Sequence, residues 1–100
     1  MKFILLVLVF AFGLSANPIS SDCMFRGKKM FGLVRVVQIG ANFKVRIINF
    51  ADLRVEPIQY KPFRCGQWRF VQAGEDFTIE FVQAGEDFTI ELNNMNPGLK

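Results

Sequence analysis

The chain has 100 residues, with twelve Lys/Arg, nine Asp/Glu, a formal net charge of +3 and no histidine. That length allows one small domain. The missing histidine excludes Ser-His-Asp and Cys-His catalysis, His-bearing zinc sites and the commonest general base.

Met1-Lys2 is followed by an apolar run from Phe3 to Leu14, then by Ser15, Ala16 and Asn17-Pro18. The run is too short to span a bilayer, which needs about 20 residues. It reads as a secretory signal peptide over residues 1–16, so the mature chain is expected to be secreted, with no membrane span. Residues 17–22 read as a loose polar arm, and 23–98 as a single β-repeat domain. Cys23 and Cys65 are the two cysteines. In an exported chain they suggest one structural disulfide, with two free buried thiols as the other reading.

Residues 70–80 and 81–91 are the same eleven letters, FVQAGEDFTIE. The unit can be followed backward with growing divergence through VVQIGANFKVR (36–46), IINFADLRVE (47–56) and the irregular PIQYKPFRCGQWR (57–69). Apolar letters alternate within each copy, which is strand periodicity. Strands are expected at Leu33–Gln38, Phe43–Asn49, Leu53–Gln59, Gly66–Gln72, Phe77–Gln83 and Phe88–Leu92. The expected core face carries Val34, Val36, Phe43, Val45, Ile47, Leu53, Val55, Trp68, Phe70, Phe77, Ile79, Phe81, Phe88, Ile90 and Leu92. The opposite face carries Arg35, Lys44, Arg46, Arg54, Glu56, Arg69, Thr78, Glu80, Thr89 and Glu91. Gly40, Gly74 and Gly85 mark turns that use a positive φ. Pro57 inside its strand predicts an edge or a bend there. The fold class is therefore all-β: a small closed sheet or barrel of about six to seven short strands built from an eleven-residue repeat.

The phrases GANFKVRII (40–48), FADLRVE (50–56) and CGQWRFV (65–71), with the FVQAGEDFTIE pair, resemble the small repeat proteins called septoil-knot domains. The resemblance runs from about Cys23 to Gly98. It implies a compact β fold whose strands wind into a knot, and no established activity or functional residues to carry over. The sequence departs from the pattern at 59–67, where the repeat stretches.

Charge is polarised along the chain. Ten Lys/Arg lie between Cys23 and Arg69 against Asp52 and Glu56 alone, and from Phe70 to Leu92 there are six acids and no base. Internal pairing of the two halves is the favoured expectation, with self-association and an anionic partner behind it. No nucleic-acid partner is expected. No phosphate-binding loop, EF-hand loop or N-glycosylation sequon is present.

Two constellations bear on function. Glu75-Asp76 and Glu86-Asp87 recur at one position of the repeat and read as soluble turns, or alternatively as a weak Ca²⁺ site or a hydrolytic pair. Tyr60, Phe63 and Trp68 lie beside Lys61 and Arg64 in the irregular copy. They are either a ligand surface, since aromatics with bases stack on sugars or nucleotides, or a cap on the core. The expectation is a secreted, non-enzymatic domain without cofactors that binds an extracellular partner or polymer. A structural, self-associating role and weak Ca²⁺ binding are the alternatives.

Overall fold

The computed structural model describes residues 17–94 and 96–99. The expected signal peptide, 1–16, lies outside them. β-branched and aromatic residues at every second position favour pleated strands, and the described residues form nine: β1 (Met24–Phe25), β2 (Lys28–Lys29), β3 (Gly32–Val36), β4 (Phe43–Ile47), β5 (Leu53–Pro57), β6 (Gln67–Phe70), β7 (Phe77–Phe81), β8 (Phe88–Leu92) and β9 (Gly98–Leu99). β1 and β2 form a small hairpin. β3 to β8 form a closed all-parallel barrel in the order β3-β7-β4-β8-β5-β6, with β6 pairing back onto β3. β9 adds antiparallel to the start of β5.

The two identical undecamers do not pair with each other; β4 separates their strands. The chain circles the barrel twice. β3, β4 and β5 take alternate positions on the first turn. β6 enters the gap beside β5, and β7 and β8 then fill the two gaps left by the first turn.

Parallel neighbours ordinarily need a long crossover. Here the stagger removes that need. The second inward residue of each strand faces the first inward residue of the next, as in Val34 with Phe77, Ile79 with Phe43, Val45 with Phe88, Ile90 with Leu53 and Trp68 with Gly32. With this two-residue displacement at every step, all six strands contribute to each layer of the interior. The central layer is Val34, Ile79, Val45, Ile90, Val55 and Trp68, all fully buried. The layer before it is Phe77, Phe43, Phe88 and Leu53, with Gly32 and Gly66 in the remaining two places. Gly66 has φ +86°, and a Cβ there would collide with the Arg54 carbonyl oxygen and the Gly98 nitrogen.

That first layer is plugged from outside by Ile19, Met30 and the Cys23–Cys65 disulfide, and Phe25 packs edge-on against Phe43 and Phe88. Residues 17–22 are thus not a loose arm. Ile19 is buried and the Asn17 side chain donates to the Asp52 carbonyl.

The third layer corrects the expected core. Val36, Phe81, Ile47, Leu92 and Phe70 are 40–50% exposed, and Pro57 completes their ring in the open. They alternate in phase with the core, yet at this mouth no segment among the described residues covers them. Pro57 does not make β5 an edge. It ends the strand, where its missing N–H matters least, and β5 is flanked by β8 and β6.

Candidate functional site

Every connection that skips one barrel position runs over the outer face of the strand it skips, and grips it. Loop 71–76 crosses β3, where Glu75 takes two hydrogen bonds from Arg35, at 3.0 and 3.1 Å. Loop 82–87 crosses β4, where Glu86 takes one from Arg46 at 3.0 Å, leaving Arg46 Nε without a partner. Asp76 and Asp87 accept from the amides of Leu33 and Lys44 and return a backbone bond to the carbonyls of the same residues. In the other direction, loop 37–42 crosses β7 and exchanges hydrogen bonds between Asn42 and Thr78. Loop 48–52 crosses β8 and does the same between Asp52 and Thr89. The tail crosses β5, where Arg54 donates to the carbonyls of Asn96 and Leu99.

This geometry answers the question of charge. The basic first turn pairs with the acidic second turn inside one chain, through Arg35–Glu75, Arg46–Glu86 and Arg26–Asp87. Hydrogen bonding from Arg35 holds the Glu75 carboxyl below the usual carboxylate range, with a backbone hydrogen bond adding to it; Glu86 is lowered in the same way by Arg46. Gly-Glu-Asp is therefore neither a merely soluble turn nor a rim of four carboxylates. The two copies lie over β3 and β4, which β7 separates, and each acid is committed to a cation or an amide. No group of three or more His, Cys, Asp or Glu able to hold a metal occurs among the described residues.

β6 is the one barrel strand that no strand-skipping connection crosses, because the connection from β5 moves only to the neighbouring position. That connection covers the start of β6, where the buried Gln67 side chain accepts from the amides of Phe63 and Arg64, and stops short of Arg69. Beside it, between β6 and β3, lies a groove of about 500 Å³ lined by Phe31, Gly32, Leu33, Lys61, Pro62, Arg69 and Asp76. A second hollow of about 240 Å³, lined by Lys28, Lys29, Phe31, Asp76 and Phe77, continues from it through the shared Phe31 and Asp76. Arg69 lies on β6 opposite Leu33 of β3. Neither Arg69 nor Lys61 has a partner among the described residues. The Lys28 ammonium donates to the Asp76 carbonyl, and the Lys29 ammonium lies 5.7 Å from the Phe31 ring centroid.

The three aromatics expected to form a ligand surface do not stay together. Trp68 is fully buried in the central layer, with its indole N–H donating to the Met30 carbonyl, and Phe77 lies edge-on to it. It belongs to the core because its place in the repeat is an inward one. Tyr60 and Phe63 are exposed; they flank Lys61 and Pro62 in sequence but do not line the groove. Sequence reasoning did not single out Phe31, Leu33, Arg69, Lys28 or Lys29 for this site. The available signal was the irregular copy at 57–69, whose Lys61, Pro62 and Arg69 line the groove.

The chain matches the family described as the 7(1) septoil knot domain over residues 27–100. It is a septoil knot domain protein. The doubled, mutually overlapping winding of the barrel agrees with the knot in the family's description, and the match begins just after Arg26, leaving out Cys23 but including Cys65. No curated protein shows significant similarity to the chain.

Proposed function

We propose that this septoil knot domain is an exported, non-enzymatic binding module that presents a preformed groove on a rigid barrel to an extracellular partner or polymer. The groove between β6 and β3 carries the reading: two unpartnered cations, Lys61 and Arg69, stand over an apolar floor of Phe31, Leu33 and Pro62. Ligand sites are typically concave and apolar with a few convergent polar groups. The disulfide agrees with an oxidising compartment, and no helix among the described residues is long and apolar enough to cross a membrane. The non-enzymatic reading rests on how the reactive groups are used: both cysteines are bridged, the repeat carboxylates clamp strands, and Asp76 holds the Leu33 amide.

Because Trp68 is buried, binding is better read from amide shifts of Leu33 and Arg69 than from tryptophan emission. A broad array of extracellular glycans and proteins is expected to yield a ligand that moves those two amides. It should lose affinity when Lys61 and Arg69 are changed to Glu. An array in which no ligand moves them would defeat the reading.

The open mouth favours a second reading, self-association. Its ring of Val36, Ile47, Pro57, Phe70, Phe81 and Leu92 is apolar and near-symmetric, so a second copy would meet it with the same surface, and Ile39 and Phe50 in the turns leaving that end are more than 80% exposed. An association driven this way strengthens with salt, opposite to one driven by the charge split. Light scattering that shows a monomer at every salt and protein concentration removes it.

A further inference from the structure

We infer that the groove takes an acidic polysaccharide, with sugar rings lying along the apolar floor and sulfate or carboxylate groups on the cations at its two ends. The inference rests on the binding-module reading and adds the chemical class of the ligand. Three observations carry it. First, the site is a track rather than a single pit: the hollows of about 500 and 240 Å³ meet at Phe31 and Asp76, with Lys61 and Arg69 at one end and Lys28 and Lys29 at the other. A ligand that uses both ends must carry repeated negative charge. Second, an acceptor stands between the two cationic ends. One carboxylate oxygen of Asp76 takes the Leu33 amide, and the other has no partner among the described residues. A free carboxylate oxygen there suits a ligand with hydroxyl donors between its charges and opposes a continuous line of phosphates. Third, the floor is poor in open aromatic faces. Phe31 is the one ring shared by the two hollows, and the Lys29 ammonium lies over it, while Leu33 and Pro62 are aliphatic. Nucleotide bases bind by stacking on free π-faces, whereas the C–H faces of sugar rings need only an apolar surface.

The experiment is calorimetric titration of the exported chain with dextran sulfate, with unsulfated dextran of the same length, and with a single-stranded oligonucleotide of matched charge. Dextran sulfate is expected to bind and dextran to be silent. If three to four cations engage the polymer, affinity should fall about 20- to 50-fold between 50 and 200 mM salt, using the single-strand counterion-release slope as a guide. The pair Lys61→Gln/Arg69→Gln should weaken binding at least tenfold and flatten the salt dependence. Lys44→Gln, on the outer face of β4, should change neither. Unchanged Trp68 emission confirms that the variants are folded. Equal binding of dextran, an oligonucleotide as tight as dextran sulfate, or indifference to Lys61→Gln/Arg69→Gln would each overturn the inference. If dextran sulfate is inert while another ligand still moves the Leu33 and Arg69 amides, the polysaccharide assignment falls and the binding module stands. If nothing moves them, both fall.

Discussion

Thr78 and Thr89 occupy the same letter of two identical undecamers, yet replacing each with valine should have unequal effects. Both hydroxyls sit on the outer face of a second-turn strand and are gripped by a first-turn loop. Thr78 Oγ1 accepts from the Asn42 amide at 2.8 Å and donates to the Asn42 side-chain oxygen at 3.2 Å, in an exposed setting. Thr89 Oγ1 accepts from the Asp52 amide at 2.9 Å and donates to the Asp52 carboxylate at 3.0 Å, and Thr89 is only 8% exposed. Valine has nearly the same shape and keeps strand propensity. The backbone bond from each threonine to the same loop side chain survives in both variants. What differs is one neutral hydrogen bond in water against one to a carboxylate in a drier place. Neutral bonds contribute about 0.5–1.5 kcal/mol and those to charged groups about 1.5–3 kcal/mol. Thr78→Val should therefore destabilise by about 1 kcal/mol, and Thr89→Val by about 2–3 kcal/mol. With a urea m-value near 1 kcal/mol/M for a small domain, the midpoints should move by about 1 M and 2–3 M. Curves should be collected from both the folded and the unfolded side, to establish equilibrium in an interlocked chain. Asn42→Asp should raise the effect of Thr78→Val toward that of Thr89→Val. Equal midpoint shifts for the two threonines would refute the reasoning, because they would mean that the repeat letter decides stability and the loop partner does not.

Cys23→Ser/Cys65→Ser opens a loop between residues 42 apart and should remove about 4 kcal/mol on the chain-entropy account, read as a lower denaturant midpoint with a larger m, because the untethered unfolded chain exposes more surface. Gly66→Ala should be severely destabilising, since its Cβ meets backbone atoms of Arg54 and Gly98 that cannot swing away; a melting temperature within a few degrees of the parent contradicts the packing described for β5, β6 and β9. The lowered Glu75 and Glu86 carboxyls bind fewer protons folded than unfolded at acid pH, so their contribution is present above the unfolded carboxylate pKa of about 4.3 and is lost as pH falls through the folded value. Thermal melts from pH 6 to pH 2 should show that loss, and Glu75→Gln/Glu86→Gln should make the profile flatter; an unaltered profile counts against the clamps.

Strand content was legible in the alternation of apolar letters, and the reason is local. Phe43, Val45 and Ile47, or Phe77, Ile79 and Phe81, announce a pleated segment whatever they pair with. Most expected strands run about two residues too long, because the alternation continues past the ladder. The amides of Val37, Ile48, Val71, Val82 and Asn93 still reach a neighbouring strand's carbonyl before the chain turns away over the next strand. The charge split was legible too, since ten bases followed by six acids need partners somewhere. What could not be read is which strand lies beside which. Interleaving is a long-range property, and it decides that Glu75 and Asp76 are clamps on β3 rather than turn decoration. It also decides that Val36 and Phe81 face an open mouth while Phe77, in the same phase, faces a plug. Ile19 was hidden for a related reason: a single apolar residue among Asn, Ser and Asp gives no periodic signal, and its burial depends on a cavity built by residues far along the chain.

The break in the repeat at 57–69 and the groove have one cause. A barrel of six positions entered in steps of two visits only three of them and then returns to its start. For the second turn to fall into the gaps of the first, one connection must take a single step, and that connection is β5 to β6. The copy containing it cannot keep the register of the others, which is why PIQYKPFRCGQWR is longer and carries the turn residues and the half-cystine. Each two-step connection, together with the tail, lies across one strand and ties down an outward residue: Arg35, Thr78, Arg46, Thr89 or Arg54. Those five segments cover five strands. On the sixth strand, β6, the single-step connection holds only Gln67, through the amides of Phe63 and Arg64, so Arg69 beyond it has nothing to grip and the floor beside it stays open. The sequence irregularity, the unclamped cation and the groove are three views of the odd step that lets this chain close on itself.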